Sequence, residues 1–446
     1  MKKDLTQGDV TKTMLVFAGP MILGNLLQQF YNIADTLIVG RFLGADALAA
    51  VGSAYSLMTF LNSILIGLCM GSGALFSYYF GRGDRERMKS GMQLSFLFIG
   101  GLALLISVGA LLCVSHILRL LQVPEKVFVQ MREYVWIIFF GIFFVFLYNY
   151  FAYLLRAVGN SVAPLYFLGS TAILNIVLDL VFVPLLGWGI GGAAIATVAA
   201  QAVSGVGIAV YTWIKEPTLR FLQGGICRRR GAVAEVLRFS FAASVQQSVM
   251  NFGILMIQGL VNSFGAAVMA AFAAAVKIDS FAYMPAQEFG NAFSLFISQN
   301  FGAGKKDRVR QGIRNAVKVS MLFCILVSGV VFVFAGSLMK IFVEHEETEI
   351  IRIGVGYLRV EGAFYCGIGL LFLLYGYYRG INRPEMSLVL TVISLGTRVL
   401  LAYVLARIPV IGVWGIWWAI PIGWFLADVT GVIYLRKKRN TTGDVQ

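Results

Sequence analysis

Charge is what this chain of 446 residues has least of. Asp, Glu, Lys and Arg together make up 13% of it, against about 25% in an ordinary soluble domain. Hydrophobic residues make up 59%, so the composition excludes a soluble globular protein and points to a polytopic membrane protein. Histidine occurs twice and cysteine five times. The cysteines (Cys69, Cys113, Cys227, Cys324, Cys366) show neither a CxxC pair nor a metal-ligand spacing, so free thiols are expected. No His, Cys or Ser constellation has a catalytic spacing, and no Walker A loop is present, which argues against a membrane-embedded enzyme or an ATP-driven pump. A repeated selectivity filter and a ring of charge are also missing, which disfavours a channel. The opening "MKKDLTQGDVTKT" is a short charged arm without an A-x-A-like cleavage site, so the first apolar run is expected to be retained as a helix.

What is present is a series of twelve apolar runs of about 20 residues or more, the first at roughly 14–40, the tenth at 354–378 and the last at 412–435. The even number places both termini on one side. Most of the 36 Lys and Arg residues fall on that side, in "GRGDRERMK", Arg228 to Arg230, "GKKDRVRQGIRNAVK" and the tail "RKKR". The positive-inside rule therefore makes both termini cytoplasmic. The net charge of +14 is explained by topology beside anionic lipid, without nucleic acid.

The chain repeats itself. "FLGADALAAVGSAYSLMTF" (42–60) aligns with "SFGAAVMAAFAAAVKIDSF" (263–281) at an offset of 221, and "FGRGDRERMKSG" (80–91) aligns with "FGAGKKDRVRQG" (301–312) at the same offset. "LLRAVGN" (154–160) answers "YYRGINR" (377–383) at an offset of 223. The expected fold is all-α, with twelve transmembrane helices in two pseudo-symmetric six-helix bundles. These are an N-terminal lobe at 1–214, a basic cytoplasmic linker at 215–234 and a C-terminal lobe with a basic tail at 235–446. Parallel repeats of this kind are typical of transporters with a midplane site.

Against this apolar background the intramembrane polar residues stand out. A carboxylate at the centre of a membrane helix costs about 2.5–3.5 kcal/mol on insertion scales, yet Asp35 interrupts "FYNIADTLIVGRFLG" and Asp179 interrupts "LNIVLDLVFVP". Both lie about 7–12 Å inside the exterior face at 1.5 Å per residue. Asn175 is four residues before Asp179 and shares its helix face. Thr197 and Asn149 add oxygens from neighbouring helices. Two carboxyls in a site of low dielectric can share a proton or coordinate Na⁺ through hard oxygens, so this is a candidate cation-coupling cluster. Structural hydrogen bonding between helices is the alternative reading of each residue.

The second half lacks the matching acids, since Asp35 aligns with Met256, Asn175 with Arg398 and Asp179 with Ala402. It carries Lys277, Asp279 and Glu288 on its second helix instead. Lys277 is expected in a structural ion pair, and Arg398 either lines a cavity or pairs with an acid. Glu235, Glu361 and Asp428 read as solvated or capping residues near span ends. Pro20 removes a backbone hydrogen bond within the first helix and permits a kink there.

These segments together resemble the MATE (multidrug and toxic compound extrusion) family over almost the whole length: "ADTLIVGRFLGADALAAVG", "FGRGDRERMKSG", "LRAVGN", "LNIVLDLVFVPLLGWGIGGAAIAT" and "AAVKIDSFAYMPAQEFGNAFS". The resemblance implies a V-shaped pair of lobes and a monomeric antiporter in a bacterial plasma membrane. Such a protein exports small organic cations or drugs in exchange for H⁺ or Na⁺ and needs no cofactor. It implies the DinF-like branch, whose helix 1 aspartate matches Asp35 and whose N-lobe cluster matches Asn175, Asp179 and Thr197, with Tyr134 and Asn149 nearby. The helix 1 proline at which that branch bends matches Pro20. The acids of the NorM branch find Gln246 or Gln247 on helix 7 and Gly367 or Ile368 on helix 10, so a C-lobe Na⁺ site of that kind is not expected. A flippase for lipid-linked oligosaccharide or lipid, from the same superfamily, is the alternative function.

Overall fold

In a bilayer every backbone N–H and C=O must be satisfied within the protein, which leaves helices as the natural form for long apolar runs. The computed structural model follows this rule. It describes residues 3–121, 123–221 and 231–441, and among them there is no β-strand. Thirteen α-helices account for nearly all of these residues. In the first half they are α1 (Val10–Leu43), α2 (Ala45–Arg82), α3 (Arg85–Leu120), α4 (Glu125–Ala157), α5 (Val162–Leu180) and α6 (Gly189–Lys215). The second half has α7 (Ala232–Asn262), α8 (Ala266–Gly302), α9 (Lys306–Phe342), α10 (Thr348–Ala363), α11 (Tyr365–Gly380), α12 (Pro384–Leu405) and α13 (Val413–Thr441). Each of the twelve apolar runs is helical.

Two of these helices depart from a simple reading of hydropathy. The tenth run is broken at Phe364, where α10 and α11 meet at a bend of 52°. Ten single helices are long and apolar enough to cross a membrane, and the bent pair makes an eleventh. Helix α7 is 31 residues long but carries Glu235, Arg238, Gln246, Gln247, Asn251 and Gln258, which dilute its apolar character. Cys69, Cys113, Cys324 and Cys366 are free thiols. Cys227 and the triplet Arg228 to Arg230 lie outside the described residues, as does all of 222–230 within the linker expected at 215–234.

Contacts divide the chain into two units, and the division is not a single cut at the linker. The first unit comprises Met1–Asp4 and Gly19–Ser244, and the second comprises Leu5–Ala18 and Val245–Gln446. Helices α1 and α7 therefore each contribute to both units, changing membership at Ala18/Gly19 and at Ser244/Val245. The reason lies in side-chain packing that a linker position does not reveal. In the first unit the start of α7 lies directly on α2, where Ser72 and Ser240 hydroxyls bond at 2.7 Å and Tyr79 donates to the Glu235 carboxylate. Glu235 is thus an interhelical acceptor rather than a solvated end. In the second unit the start of the chain is held by α8 and α9: Asn300 and Arg308 donate to the Leu5 carbonyl at 3.1 Å each, and Asn315 donates to Thr11 at 2.9 Å.

The core of the first unit is an aromatic cluster in which Tyr150 meets Phe96, Phe146 and Phe151 with ring centroids 5.3–5.6 Å apart. The core of the second stacks Phe272 on Trp417 at 5.6 Å, with Tyr357 edge-on to Trp417 at 4.9 Å.

Small residues allow the closest crossings, as is usual between membrane helices. A Cβ on Gly71 of α2 would lie 2.2 Å from the Phe239 carbonyl oxygen of α7. Gly71→Ala therefore forces two backbones apart, at a cost in the range of about 1–3 kcal/mol typical of overpacking. It should lower the melting temperature of the purified protein by several degrees. Gly52→Ala, where a Cβ would meet nothing within 4 Å, should leave it unchanged or slightly raised, because Ala favours the helix over Gly.

Candidate functional site

Helix α5 carries Asn175 and Asp179 one turn apart and ends immediately afterwards in a wide turn at Val181–Leu185, where the Leu186 N–H reaches back five residues to the Val181 carbonyl at 2.9 Å. Pro184 lies within this turn and has no N–H to offer a regular helix. Both acceptor-bearing side chains are buried, Asn175 with 2% and Asp179 with 0% of its surface exposed. Helix α1 packs on α5 through Gly24, whose Cβ position is 3.5 Å from Leu168. That contact carries Asp35 to the same place, where its carboxyl faces that of Asp179. Tyr134 of α4 and Tyr31 of α1 complete the surroundings.

The polar atoms here are short of partners. Asp35 Oδ1, both carboxyl oxygens of Asp179 and both amide atoms of Asn175 are buried without a hydrogen-bond partner. Two ionised carboxyls facing each other are acceptors only and cannot satisfy one another. Thr197 donates to the Ala193 carbonyl at 3.1 Å and Asn149 to the Val145 carbonyl at 2.9 Å, bonds that use their donors and not their oxygens. Asp35, Asp179, Tyr134 and Tyr31 are brought together, with Asn175 one turn before Asp179 on α5.

The second unit holds a further polar site that sequence reasoning missed. Asp279 of α8 and Glu361 of α10 face each other at 5% and 1% exposure, and the Tyr365 hydroxyl donates to Asp279 at 2.6 Å. Glu361 is thus not a solvated residue near a span end. Glu361 lies two residues before the end of α10 at Ala363, next to the break at Phe364, and is buried against Asp279 there. Asp428 likewise lies within α13 at 7% exposure, beside Gly367 of α11. Arg398 of α12 lines the same cavity as Asp279 and Glu361 and, among the described residues, forms no salt bridge. Lys277 is exposed and, among the described residues, has no ion-pair partner, so the structural pair expected for it is absent there. The one signal for this site was an excess of acids in the second half without repeat equivalents.

Paired helical bundles with polar clusters buried in the spans define a membrane transporter rather than an enzyme. The MatE family model matches residues 20–181 and again 242–404, once in each half at the spacing of the internal repeat. The chain belongs to this family. Its relatives include the probable multidrug resistance protein YpnP of Bacillus subtilis, 30% identical over 88% of this chain and 87% of that one. The FAD transporter of Shewanella oneidensis is 24% identical over 94% and 92% of the two chains. The fold is that of an outward-facing multidrug resistance MATE transporter, with a TM-score of 0.90 at 24% identity over 97% of each chain. It is equally that of a MATE structure in the bent conformation, with a TM-score of 0.89 at 23% identity, covering 97% of this chain and 96% of that one.

The buried bond from Tyr365 to Asp279 ties α11 to α8 in the second unit. Tyr365→Phe leaves a buried carboxyl oxygen without its donor, a loss worth about 1–3 kcal/mol. The purified variant should melt several degrees below the parent protein.

Proposed function

We propose that this protein is a secondary-active antiporter that exports cationic or amphipathic organic compounds in exchange for H⁺ or Na⁺, with Asp35 and Asp179 as the coupling groups. The observation that carries the reading is the set of buried, partnerless polar atoms on Asp35, Asn175 and Asp179. Buried polar groups are nearly always satisfied, and an intramembrane acid is costly enough that its retention calls for a use. A proton shared between the two carboxyls, or a Na⁺ held by them with the Asn175 carbonyl oxygen, supplies what these atoms lack. Tyr134 stands close to both carboxyls.

The proposed cycle follows from competition. With the site facing outward, arrival of the cation at Asp35 and Asp179 neutralises the acids and weakens their hold on an organic cation, which leaves. Return with the coupling ion bound resets the cycle, and the membrane gradient of that ion supplies the energy. Both termini lie on the cytoplasmic side in this reading, as the distribution of Lys and Arg requires. Multidrug-resistance names among the relatives support organic cations as cargo. Pro20 supports mobility of α1: the helix runs through it without a break, and the membership of α1 changes between the two units at Ala18/Gly19, immediately before it.

In proteoliposomes with the pH and Na⁺ gradients imposed separately, one gradient alone should drive efflux of a fluorescent organic cation, and its dissipation should stop it. Asp35→Asn should reduce that efflux at least tenfold while the protein remains folded and monodisperse. Normal transport by this variant would remove Asp35 from the coupling role, and failure of the parent protein to move any organic cation would favour a lipid flippase. Pro20→Ala restores the missing helical hydrogen bond. It should keep or raise the melting temperature while slowing turnover several-fold, as expected if bending at Pro20 is part of the cycle.

A further inference from the structure

The cavity of the second unit, about 220 Å³ in volume, has two buried defects of opposite kind. Glu361 Oε2 is an acceptor without a donor, and Arg398 Nε is a donor without an acceptor. They do not satisfy each other: among the described residues Arg398 forms no salt bridge, although both acids line the same cavity. The acids are otherwise engaged. Asp279 accepts from Tyr365 at 2.6 Å and faces Glu361, and Glu361 has Tyr357 beside it. Arg398 is thus a guanidinium whose charge is set against a carboxyl pair beyond ion-pair distance, with open volume alongside.

We propose that this cavity is a binding subsite for a zwitterionic end of the exported compound. An oxyanion such as a carboxylate is taken by Arg398, and an ammonium or N–H group is taken by Glu361 and Asp279. The inference rests on the export reading above and adds to it the substrate class and the residue that selects it. An oxyanion alone is repelled by the carboxyl pair, and a cation alone is repelled by the guanidinium. A ligand that carries both completes the two defects at once. Arg398 offers the planar fork that matches a carboxylate. Phe272, Tyr283, Tyr357 and Trp424 provide aromatic wall between the polar ends. The volume is below that of a typical site for a whole drug-sized ligand, about 300–1,000 Å³, so the cavity takes a fragment of the compound rather than all of it.

The internal repeat accounts for the asymmetry. Arg398 stands where the first half has Asn175, and the acids at positions 35 and 179 are replaced by Met256 and Ala402. The second half has lost those acids and gained a resident cation, with carboxyls supplied from α8 and α10. A resident cation suits recognition of an anionic group and is unfavourable to a visiting Na⁺.

The test uses rhodamine 6G, a cationic ester, and its hydrolysis product, the free carboxylic acid on the same fluorophore. Binding of each to the purified full-length protein is read by fluorescence anisotropy, which does not depend on transport. The parent protein should bind the free acid more tightly than the ester. Arg398→Gln should shift the ratio of the two dissociation constants at least tenfold toward the ester, and Arg398→Lys should shift it by less. An unchanged ratio in folded Arg398→Gln, or a Lys variant shifted as far as Gln, overturns the proposal. If the Gln variant does not fold, the decision falls to competition on the parent protein. The free acid should displace bound ester at a concentration at least tenfold lower than its N,N-dimethylcarboxamide, which has no amide N–H to close a spirolactam and keeps the cationic fluorophore, and equal displacement overturns the proposal. Asp35→Asn separates the two readings: loss of efflux there tests ion coupling in the first unit, while the ratio of dissociation constants set by Arg398 is read independently.

Discussion

A polar atom in the hydrocarbon region must find its partner inside the protein, and the arrangement of this chain follows from that. The backbone meets the requirement by forming helices. Span hydroxyls meet it locally: Thr171, Thr197, Thr212, Thr391 and Thr430 each donate to the carbonyl four residues earlier at 2.7–3.1 Å. A carboxyl of an ionised acid has no such local solution, since it is acceptor only. It has to be carried to a donor, a proton or a cation by the packing of several helices. Asp279 reaches the Tyr365 hydroxyl in this way, and Glu235 reaches Tyr79. Asp35 and Asp179 reach only each other. That difference separates acids with a donor on a neighbouring helix from acids without one.

The same distinction explains what could be read in advance. The twelve spans were legible because long apolar runs need no tertiary information. Asp35 and Asp179 were legible as isolated charges in such runs, and Asn175 by its helical spacing from Asp179. The break at Phe364 was not legible, since "EGAFYCGIGL" holds no proline and glycines occur throughout the spans without breaking them, and nothing in the sequence placed Glu361 against Asp279. Nor was it legible that Thr197 and Asn149 would donate within their own helices, because that choice depends on rotamer and neighbours. The exchange of α1 and α7 between the units was hidden for a related reason. A linker marks where the chain passes between repeats, whereas Gly71 lying on Phe239 and Arg308 gripping the Leu5 carbonyl decide which helices pack together.

Duplication supplied one scaffold twice, and the chemistry then diverged. Close crossings occur in both halves, at Gly71 on α2 and at Gly376 on α11, whose Cβ position is 2.4 Å from the Gly290 carbonyl oxygen, though the repeat puts Ala292 and Tyr153 at the matching positions. The polar sites do not match either. Among the described residues no basic side chain bears on Asp35 or Asp179, so neutrality there depends on what enters from solution. The second unit has two acids and Arg398, so it carries part of its own compensation.

That contrast bears on how such a protein can couple two fluxes. If both units held bare acid pairs, an organic cation and a coupling ion would compete at two equivalent places, and occupation of either would compensate the other. One site short of positive charge and one already holding a cation break the equivalence. In the antiport reading proposed above, the coupling ion is taken in the first unit, where neither Asp179 oxygen has a donor, and it competes there with the cationic part of the cargo. The second unit then adds matching of shape and paired charge. A ligand can shift a conformational equilibrium only through differential affinity for the two states, so a transporter gains control by giving its two ligands chemically different sites. The replacement of Asn175 by Arg398 across the repeat, together with Met256 and Ala402 in place of Asp35 and Asp179, produces this difference. It leaves the helix frame intact while putting a positive charge where the first half has a neutral amide.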